Sequence, residues 1–313
     1  MSAGAAKVAR PKVTAVVLNW NGLDDTLACL RSLAASEMPL SVIVVDNGSL
    51  LSPESAIEEA MPGAEFIGNP CNEGYAAGNN VGIRRAMDSG ADFVWVLNND
   101  AMVEPDTLGH LLAAAESHPK AGAIGPKVLY ADRPDTLWVA WGTVTWRQSL
   151  VGLVGEGARD ERRWTVERAV EWIPGCSLLL RSAALAEVGL FDEDFFAYHE
   201  DVDWAARARS LGWSSWYTGA ARVYHGVHGS SGGSAHYGGF RKYLSARNMV
   251  LYARKHGSPV RVLAMALAVV ATFPAQLLRR ALRGEAGGVW IKARGWWDGI
   301  LRRPIPFADL GLR

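Results

Sequence analysis

The sequence predicts an α/β protein with a mixed, mainly parallel sheet flanked by helices and a helical extension behind it. Three observations carry that prediction. Short apolar runs recur every 20 to 30 residues through the first 120, each separated from the next by a helix-length segment, the rhythm of a doubly wound sheet. The clearest run, Phe93-Val94-Trp95-Val96-Leu97, has no polar residue inside it, as a strand covered on both faces requires. Three of the runs end abruptly on Asn or Asp, and in open α/β sheets ligands bind beyond the carboxyl ends of the strands.

Taken in order, Val13 to Leu18 reads as the first strand and ends in Asn19-Trp20-Asn21-Gly22. Asp24 or Asp25 opens a helix with Leu27, Leu30 and Leu33 on its apolar face. Leu40 to Val45 is a second strand running into Asp46-Asn47-Gly48-Ser49, Pro53 to Ala60 a short helix, and Glu65 to Gly68 a third strand. Asn72-Glu73-Gly74-Tyr75-Ala76-Ala77-Gly78-Asn79-Asn80 leads into a helix through Ala86 or Met87. The Phe93 strand follows and ends in Asn98-Asn99-Asp100, and Pro105, suited to a first helical turn, starts a helix to Ser117. From Ala121 to Leu180 the pattern loosens into sheet-edge strands and a variable loop region, closing on a strand with a Pro174-Gly175 bend. Ser182 caps a short helix. Then His199-Glu200-Asp201-Val202-Asp203 opens a longer one, with Asp203 on its surface. Two short strands lead to Tyr224-His225, a glycine loop through Gly233, and a helix from Gly238 to His256.

With 49% apolar and 20% charged residues the chain folds around a core. Its net charge of zero hides an asymmetry: residues 254–313 carry eleven Lys/Arg against three Asp/Glu, a balance of +8, so the rest is −8. The basic residues border an apolar run, Val262 to Leu278, and lie beside Trp290, Trp296 and Trp297. That combination points to a membrane surface and away from nucleic acid. Seventeen residues fall short of the roughly 20 needed to span a bilayer, so an in-plane helix is expected. Cys29, Cys71 and Cys176 form no C-x-x-C pair, which speaks against structural zinc and disulfides and for a reducing cytosol. Residues 1–12 are small and basic without an apolar run, read as a disordered leader and not a secretory signal.

Four polar clusters carry the chemistry. Asp46 is acceptor-only and can take a ring N–H. Gly74 and Gly78, just before a helix N-terminus, would let backbone approach an anion. This is neither a Walker loop nor a G-x-G-x-x-G fingerprint. Asp100 offers oxygen to a hard divalent cation. Glu200 and Asp201 place carboxylates at a helix start, where capping and base chemistry are both open.

In this order the clusters resemble those of the inverting family 2 glycosyltransferases of the GT-A fold, most closely the rhamnosyltransferase-like subgroup, over roughly residues 13 to 232. The resemblance implies transfer of a sugar from a UDP- or dTDP-sugar, dTDP-rhamnose by subgroup, to a hydroxyl of a lipid-linked or cell-surface glycan. It implies a nucleotide-sugar site of Asn19, Asn21, Asp46, Asn47, Asn72, Gly74, Gly78, Asn79, Asn98, Asn99 and Asp100. Asp201 would be the general base, with Glu200 orienting the acceptor and Trp172, Gly175 and Cys176 on the acceptor side. Mg²⁺ or Mn²⁺ would sit on Asp100 and His225, with His228 as the local rival for that role. The family's Asp-x-Asp motif reads Asn98-Asn99-Asp100 here, so an amide replaces its first carboxylate. Residues 13–237 would form the catalytic domain, 13–120 its nucleotide-sugar half and 121–237 its acceptor half, with 238–313 the extension. A cytoplasmic enzyme peripherally bound to the inner face of the plasma membrane follows. Oligomeric state is left open. Two rival readings are a sugar nucleotidyltransferase, which would want a basic glycine-rich loop where Asn19-Trp20-Asn21-Gly22 stands, and a non-catalytic nucleotide-sugar binder or scaffold, against which Asp100, Glu200 and Asp201 argue.

Overall fold

The structure is a computed structural model and describes residues 10–147, 149–226 and 239–312. Positions 1–9 of the expected leader, His228, the glycine loop through Gly233 and the boundary at 237/238 lie outside the described residues.

The first half alternates as expected: β1 (Val13–Asn19), α1 (Leu23–Ala34), β2 (Ser41–Asp46), α2 (Glu54–Ala60), β3 (Glu65–Gly68), α3 (Gly74–Asp88) and β4 (Phe93–Asn98). The four strands run parallel in the order β4-β1-β2-β3. Alternate residues of β1 feed opposite faces: Val13, Ala15 and Val17 pack on one side, Val16 and Leu18 on the other. That is why the run is apolar but for Thr14 until it ends at Asn19.

After a short β5 (Ala101–Val103) and α4 (Thr107–Ser117) comes β6 (Ala121–Tyr130), a ten-residue strand. Here the structure corrects the expectation of edge strands over 121–180. β6 is buried almost throughout and is followed by β7 (Leu137–Val139), the hairpin β8 (Trp141–Val144) and β9 (Val151–Val154), then β10 (Glu167–Val170) and β11 (Ser177–Arg181). β6 and β11 are interior strands, with β11 antiparallel to both β4 and β6. The apolar run of β6 is broken by Gly122, Gly125 and Pro126, which hid it. Gly125 leaves no room for a side chain, since a Cβ there would lie 2.1 Å from Ile173.

α5 (Ser182–Val188) begins at Ser182, which caps nothing: its hydroxyl donates to Ala91 O at 2.5 Å, across to the start of β4. α6 (Glu200–Ser210) follows, and then β12 (Ser214–His225), one strand where two were expected. A register shift between Thr218 and Arg222 gives it the look of two. β12 lies parallel to β6 and antiparallel to β5, with His225 opposite Ala101.

The extension consists of α7 (Phe240–His256), α8 (Pro259–Ala281), α9 (Ala286–Leu301) and a short α10 (Phe307–Leu310). α9 lies directly on α7, because Gly295 and Gly299 offer only hydrogen to a neighbour whose backbone a Cβ would meet at 2.3 and 2.8 Å. α8 has 23 residues, more than the expected apolar run, so by length and composition it could cross a membrane. Its Met265 face, however, packs with Val262, Val269 and Phe273 against Trp146, Tyr252 and Trp296. The opposite stripe, Val260, Leu263, Leu267 and Val270, is exposed.

Candidate active site

A cleft of about 340 Å³ opens at the carboxyl ends of β1 and β4. Strand register assembles it. Antiparallel pairing of Ser177 with Leu97 sets the 172–176 bend beside Asn98, whose N–H donates to Cys176 O at 3.0 Å. Pairing of His225 with Ala101 sets the end of β12 against Asp100. Trp172, Gly175, Cys176, Asn98, Asn99, Asp100, His225, Glu200 and Asp201 all line this one cleft with Asn47, Asn72 and Gly74, so members of all four polar clusters meet.

His225 Nε2 lies 3.1 Å from Asp100 Oδ1 and 3.2 Å from Asn98 Nδ2, and Trp138 tilts over the imidazole at 4.5 Å between ring centroids. All three polar residues are mostly withdrawn from solvent, and Asn98 Oδ1 is buried without a hydrogen bond. Among the described residues no group of three His, Cys, Asp or Glu gathers to form a complete protein cage.

Across the cleft, the loop before α6 is strained. Phe196, Tyr198 and His199 have φ of 60°, 72° and 72°, a region that side chains other than glycine seldom occupy. Asn248 of α7 holds the loop: its buried amide nitrogen donates to Phe195 O, Ala197 O and Tyr198 O at 2.7 to 2.8 Å. The loop delivers Glu200 and Asp201 to the cleft as the first residues of α6. Asp201 Oδ2 accepts from Gly175 N and Oδ1 from Val202 N, both at 2.8 Å. Burial raises the Asp201 carboxyl to about 6, against the pull of those hydrogen bonds. Burial and the neighbouring Asp201 charge raise the Glu200 carboxyl well above its ordinary value. Burial lowers His199 to about 4, so its ring is neutral.

Asp203 was expected on the helix surface and is instead fully buried. Burial alone would raise it, yet hydrogen bonds from His256, Lys255 and Arg207 hold it near 2. It ties α6 to α7.

The remaining predicted residues are bound up with one another. Asp46 accepts from Asn19 Nδ2 at 2.6 Å and from the Ser49 hydroxyl and N–H, using three of its four lone-pair directions to join the ends of β1 and β2. Asn21 holds the same turn through Ser49 and Leu50. Asn47 and Asn72 bond each other at 3.0 Å and reach the cleft wall with Gly74. Gly78 lies against Leu18, which a Cβ would meet at 2.6 Å, and Gly74, at φ +90°, against Phe196. Both glycines therefore serve close approach of protein to protein. Asn79 is buried inside α3, bonded to Tyr75 O, and does not line the cleft.

Residues 14–192 match the family described as glycosyl transferase family 2. The chain belongs to glycosyl transferase family 2. It is 34% identical over 214 residues to an N-acetylglucosaminyl-diphospho-decaprenol L-rhamnosyltransferase of Mycobacterium tuberculosis, covering 63% of this chain and 70% of that protein. It is 31% identical over 200 residues to the galactofuranosyltransferase GlfT1 of the same organism, covering 61% and 62%. Among solved structures it is similar to a mannosyltransferase of Pyrobaculum calidifontis in complex with GDP-Man and Mn²⁺, with a TM-score of 0.59, 17% identity, and 95% and 89% of the two chains covered. Staphylococcus aureus TarS in complex with UDP-GlcNAc gives 0.54 at 16% identity, covering 94% and 82%. These two share the fold, GT-A.

Within this glycosyltransferase, Asp100, His225 and the orphaned amide oxygen of Asn98 are donors of the kind a divalent ion accepts. Tyr75 and Asn248 are the contributors that sequence reasoning passed over. The Tyr75 hydroxyl donates to Gly175 O at 2.8 Å, fixing the same bend that holds Asp201. For Tyr75 the signal was present, inside the Asn72–Asn80 cluster; for Asn248 there was none, because its partners lie about 50 residues earlier in the chain.

Proposed function

We propose that this family 2 glycosyltransferase moves a sugar, with inversion, from a UDP- or dTDP-sugar to a hydroxyl of a lipid-linked or cell-surface glycan, and that the sugar is rhamnose. The observation that carries the reading is Asp201: a half-buried carboxylate raised to about 6, aimed by two backbone N–H groups into the cleft that Asp100 and His225 also line. A base with that pKa is ionised at neutral pH and still basic enough to take a proton in the transition state. The acceptor oxygen forms its bond to the anomeric carbon as its proton passes to Asp201, while the bond from that carbon to the nucleoside diphosphate breaks on the opposite face. Glu200 orients the acceptor through a hydrogen bond. Trp172 offers a ring face to a sugar.

Asp100, His225 and Asn98 Oδ1 would hold Mg²⁺ or Mn²⁺, which supplies charge neutralisation to the departing diphosphate. Asn72, Gly74, Asn98 and Asn99 wall the donor side, with Asp46, Asn47 and Asn19 supporting them. Rhamnose and a lipid diphosphate acceptor are supported by the name of the mycobacterial relative. We assign 13–237 to the catalytic domain and 238–313 to an extension that rests on the inner face of the membrane. An in-plane α8 is supported by the packing of its Met265 face on the body and the exposure of the other.

A donor screen tests the reading. Free nucleoside diphosphate is measured from a panel of UDP-, dTDP- and GDP-sugars with Mg²⁺, Mn²⁺ or EDTA, with an acceptor glycan supplied. Metal-dependent release from one dTDP- or UDP-sugar, lost in Asp100→Ala, is the expected result. Release that ignores EDTA would remove the metal from the proposal, and donor binding with no transfer to any acceptor would replace the enzyme with a binder.

A further inference from the structure

Away from the catalytic cleft, a second cavity of about 230 Å³ lies between the end of α8, the middle of α9 and the tip of the β8–β9 hairpin. It is lined by Ser149, Gln276, Arg279, Arg280, Arg283 and Lys292. Four of the six are cationic. Arg280 pairs with the carboxylate of Glu285. Among the described residues, Arg279, Arg283 and Lys292 form no ion pair. Lys292 is half-buried with its ammonium 5.0 Å from the Trp296 ring, and burial pushes its pKa down, which marks a cation lacking a counter-ion.

A cluster of cations at a helix C-terminus has an ordinary explanation in the helix dipole. It does not explain a concave site fed from three segments, with Gln276 and Ser149 adding neutral donors. Like charges brought to one cavity repel, and an anion is what relieves them. Guanidinium forks and an ammonium are the groups that take phosphate oxygens.

Two neighbours say what carries the phosphate. The same two helices expose an apolar stripe, Val260, Leu263, Leu267 and Val270, together with Trp290 and Trp297. The hairpin connects the cavity to the chemistry: Ser149 lines the cationic cavity, while Val151 and Leu153 line the catalytic cleft. Two residues of extended chain span about 7 Å. On the cleft side of α7, Arg241 lines the cleft, and beside it the Lys242 side chain reaches Gly288, one turn from Lys292 on α9. Positive charge thus continues from the cleft to the cavity.

We propose that this cavity, on the Met265 side of α8, is a binding site for the phosphate of a lipid from the membrane that the opposite, exposed stripe of α8 faces. Two lipids present that chemistry, the diphosphate of a lipid-linked acceptor and the headgroup of an anionic phospholipid. The proposal rests on the transferase reading only for the first of these, and vesicle binding is measured without catalysis, so the two readings fail separately.

The experiment uses the full chain and the triple variant Arg279→Gln/Arg283→Gln/Lys292→Gln. A second triple, Arg133→Gln/Arg162→Gln/Arg163→Gln, removes equal charge from exposed residues elsewhere. Binding is measured to phosphatidylglycerol vesicles, to phosphatidylcholine vesicles and to farnesyl diphosphate. The cavity triple is expected to weaken phosphatidylglycerol or farnesyl diphosphate binding by on the order of 100-fold, with the control triple near wild type. Loss confined to farnesyl diphosphate identifies the acceptor's diphosphate as the occupant, and loss confined to phosphatidylglycerol identifies the headgroup. Donor binding stays unchanged in both triples. Arg279→Lys/Arg283→Lys, which keeps the charge, retains most of the binding and guards against misfolding. Equal weakening by both triples would reduce the site to diffuse surface charge. Undiminished binding of both lipids by the cavity triple would overturn the proposal.

Discussion

Asp201→Asn separates chemistry from stability, and the structure sets both magnitudes. In the folded protein the Asp201 carboxyl titrates near 6, against an ordinary value of 3.8. A raised carboxyl means that the folded state holds the proton more tightly than the unfolded one. The favourable contribution is therefore present below the unfolded pKa and lost as pH rises through 6. At about 1.4 kcal/mol per unit, the ionised carboxylate costs the fold roughly 3 kcal/mol above that pH. Asparagine never ionises and escapes this cost. It gives up something in exchange, because one amide oxygen replaces two carboxylate oxygens that accept from Gly175 N and Val202 N. Whichever N–H loses its acceptor faces an NH₂ group, at about 1–3 kcal/mol. The two effects nearly cancel at pH 7.5, so the variant should melt at or slightly above the wild-type temperature. Turnover should meanwhile fall by roughly 10²- to 10⁴-fold, the usual contribution of a general base. The assay is kcat/KM from pH 4.5 to 8.5 beside thermal melts. Wild type should lose activity below about pH 6, and the variant's residual activity should lack that limb. Turnover within tenfold of wild type, or an acid limb that survives the substitution, would refute the assignment of the base.

Asn248→Ala removes the donor shared by three carbonyls of the strained loop. It should cost about 2–3 kcal/mol in denaturant unfolding, and lower kcat at least tenfold with the donor KM unchanged. An unaltered kcat at a temperature where the variant is folded would reduce Asn248 to a packing residue. Asp203, held near 2 in the folded state, contributes stability above pH 4 that is lost as pH falls towards 2. Asp203→Asn should therefore be less stable than wild type by about 2 kcal/mol at pH 7, and urea titrations should show the gap closing between pH 4 and pH 2. Gly142→Ala would place a Cβ 1.9 Å from the Trp172 ring. The indole has to swing into the cleft, so the acceptor KM should rise while donor binding, read by thermal shift, holds.

The parallel half of the fold was legible because its physics is local. A strand covered on both faces must be mainly apolar, and β1, β2 and β4 show that between their polar ends, Thr14 apart. β6 is as deeply buried but carries Gly122, Gly125, Pro126 and Lys127. Its glycines answer to Ile173 and other residues from distant segments, and Lys127 is buried against Asp160 at 2.7 Å. Such residues break the periodic signal for reasons that exist only in three dimensions. β12 shows a milder form, one strand that a register shift makes look like two.

The site divides along the same line. Asn98, Asp100, Glu200 and Asp201 stand at strand and helix ends, where polar residues interrupt strong patterns, and so they could be picked out singly. What makes them a site is supplied from outside those motifs. His225 arrives because β12 pairs with β5, and Asp201 is aimed because Gly175 and Val202 present their N–H groups to it. The strained backbone at Phe196, Tyr198 and His199 is tied down from α7, by Asn248 and by the Lys255 and His256 bonds to Asp203. This makes the extension more than an appendage to the sheet. Helix α7 holds the loop before α6 with one set of residues, carries Arg241 on the cleft wall, and supports α9 through Gly295 and Gly299. The surface we propose to rest on a membrane is thus bonded through one helix to the loop that presents the proposed base.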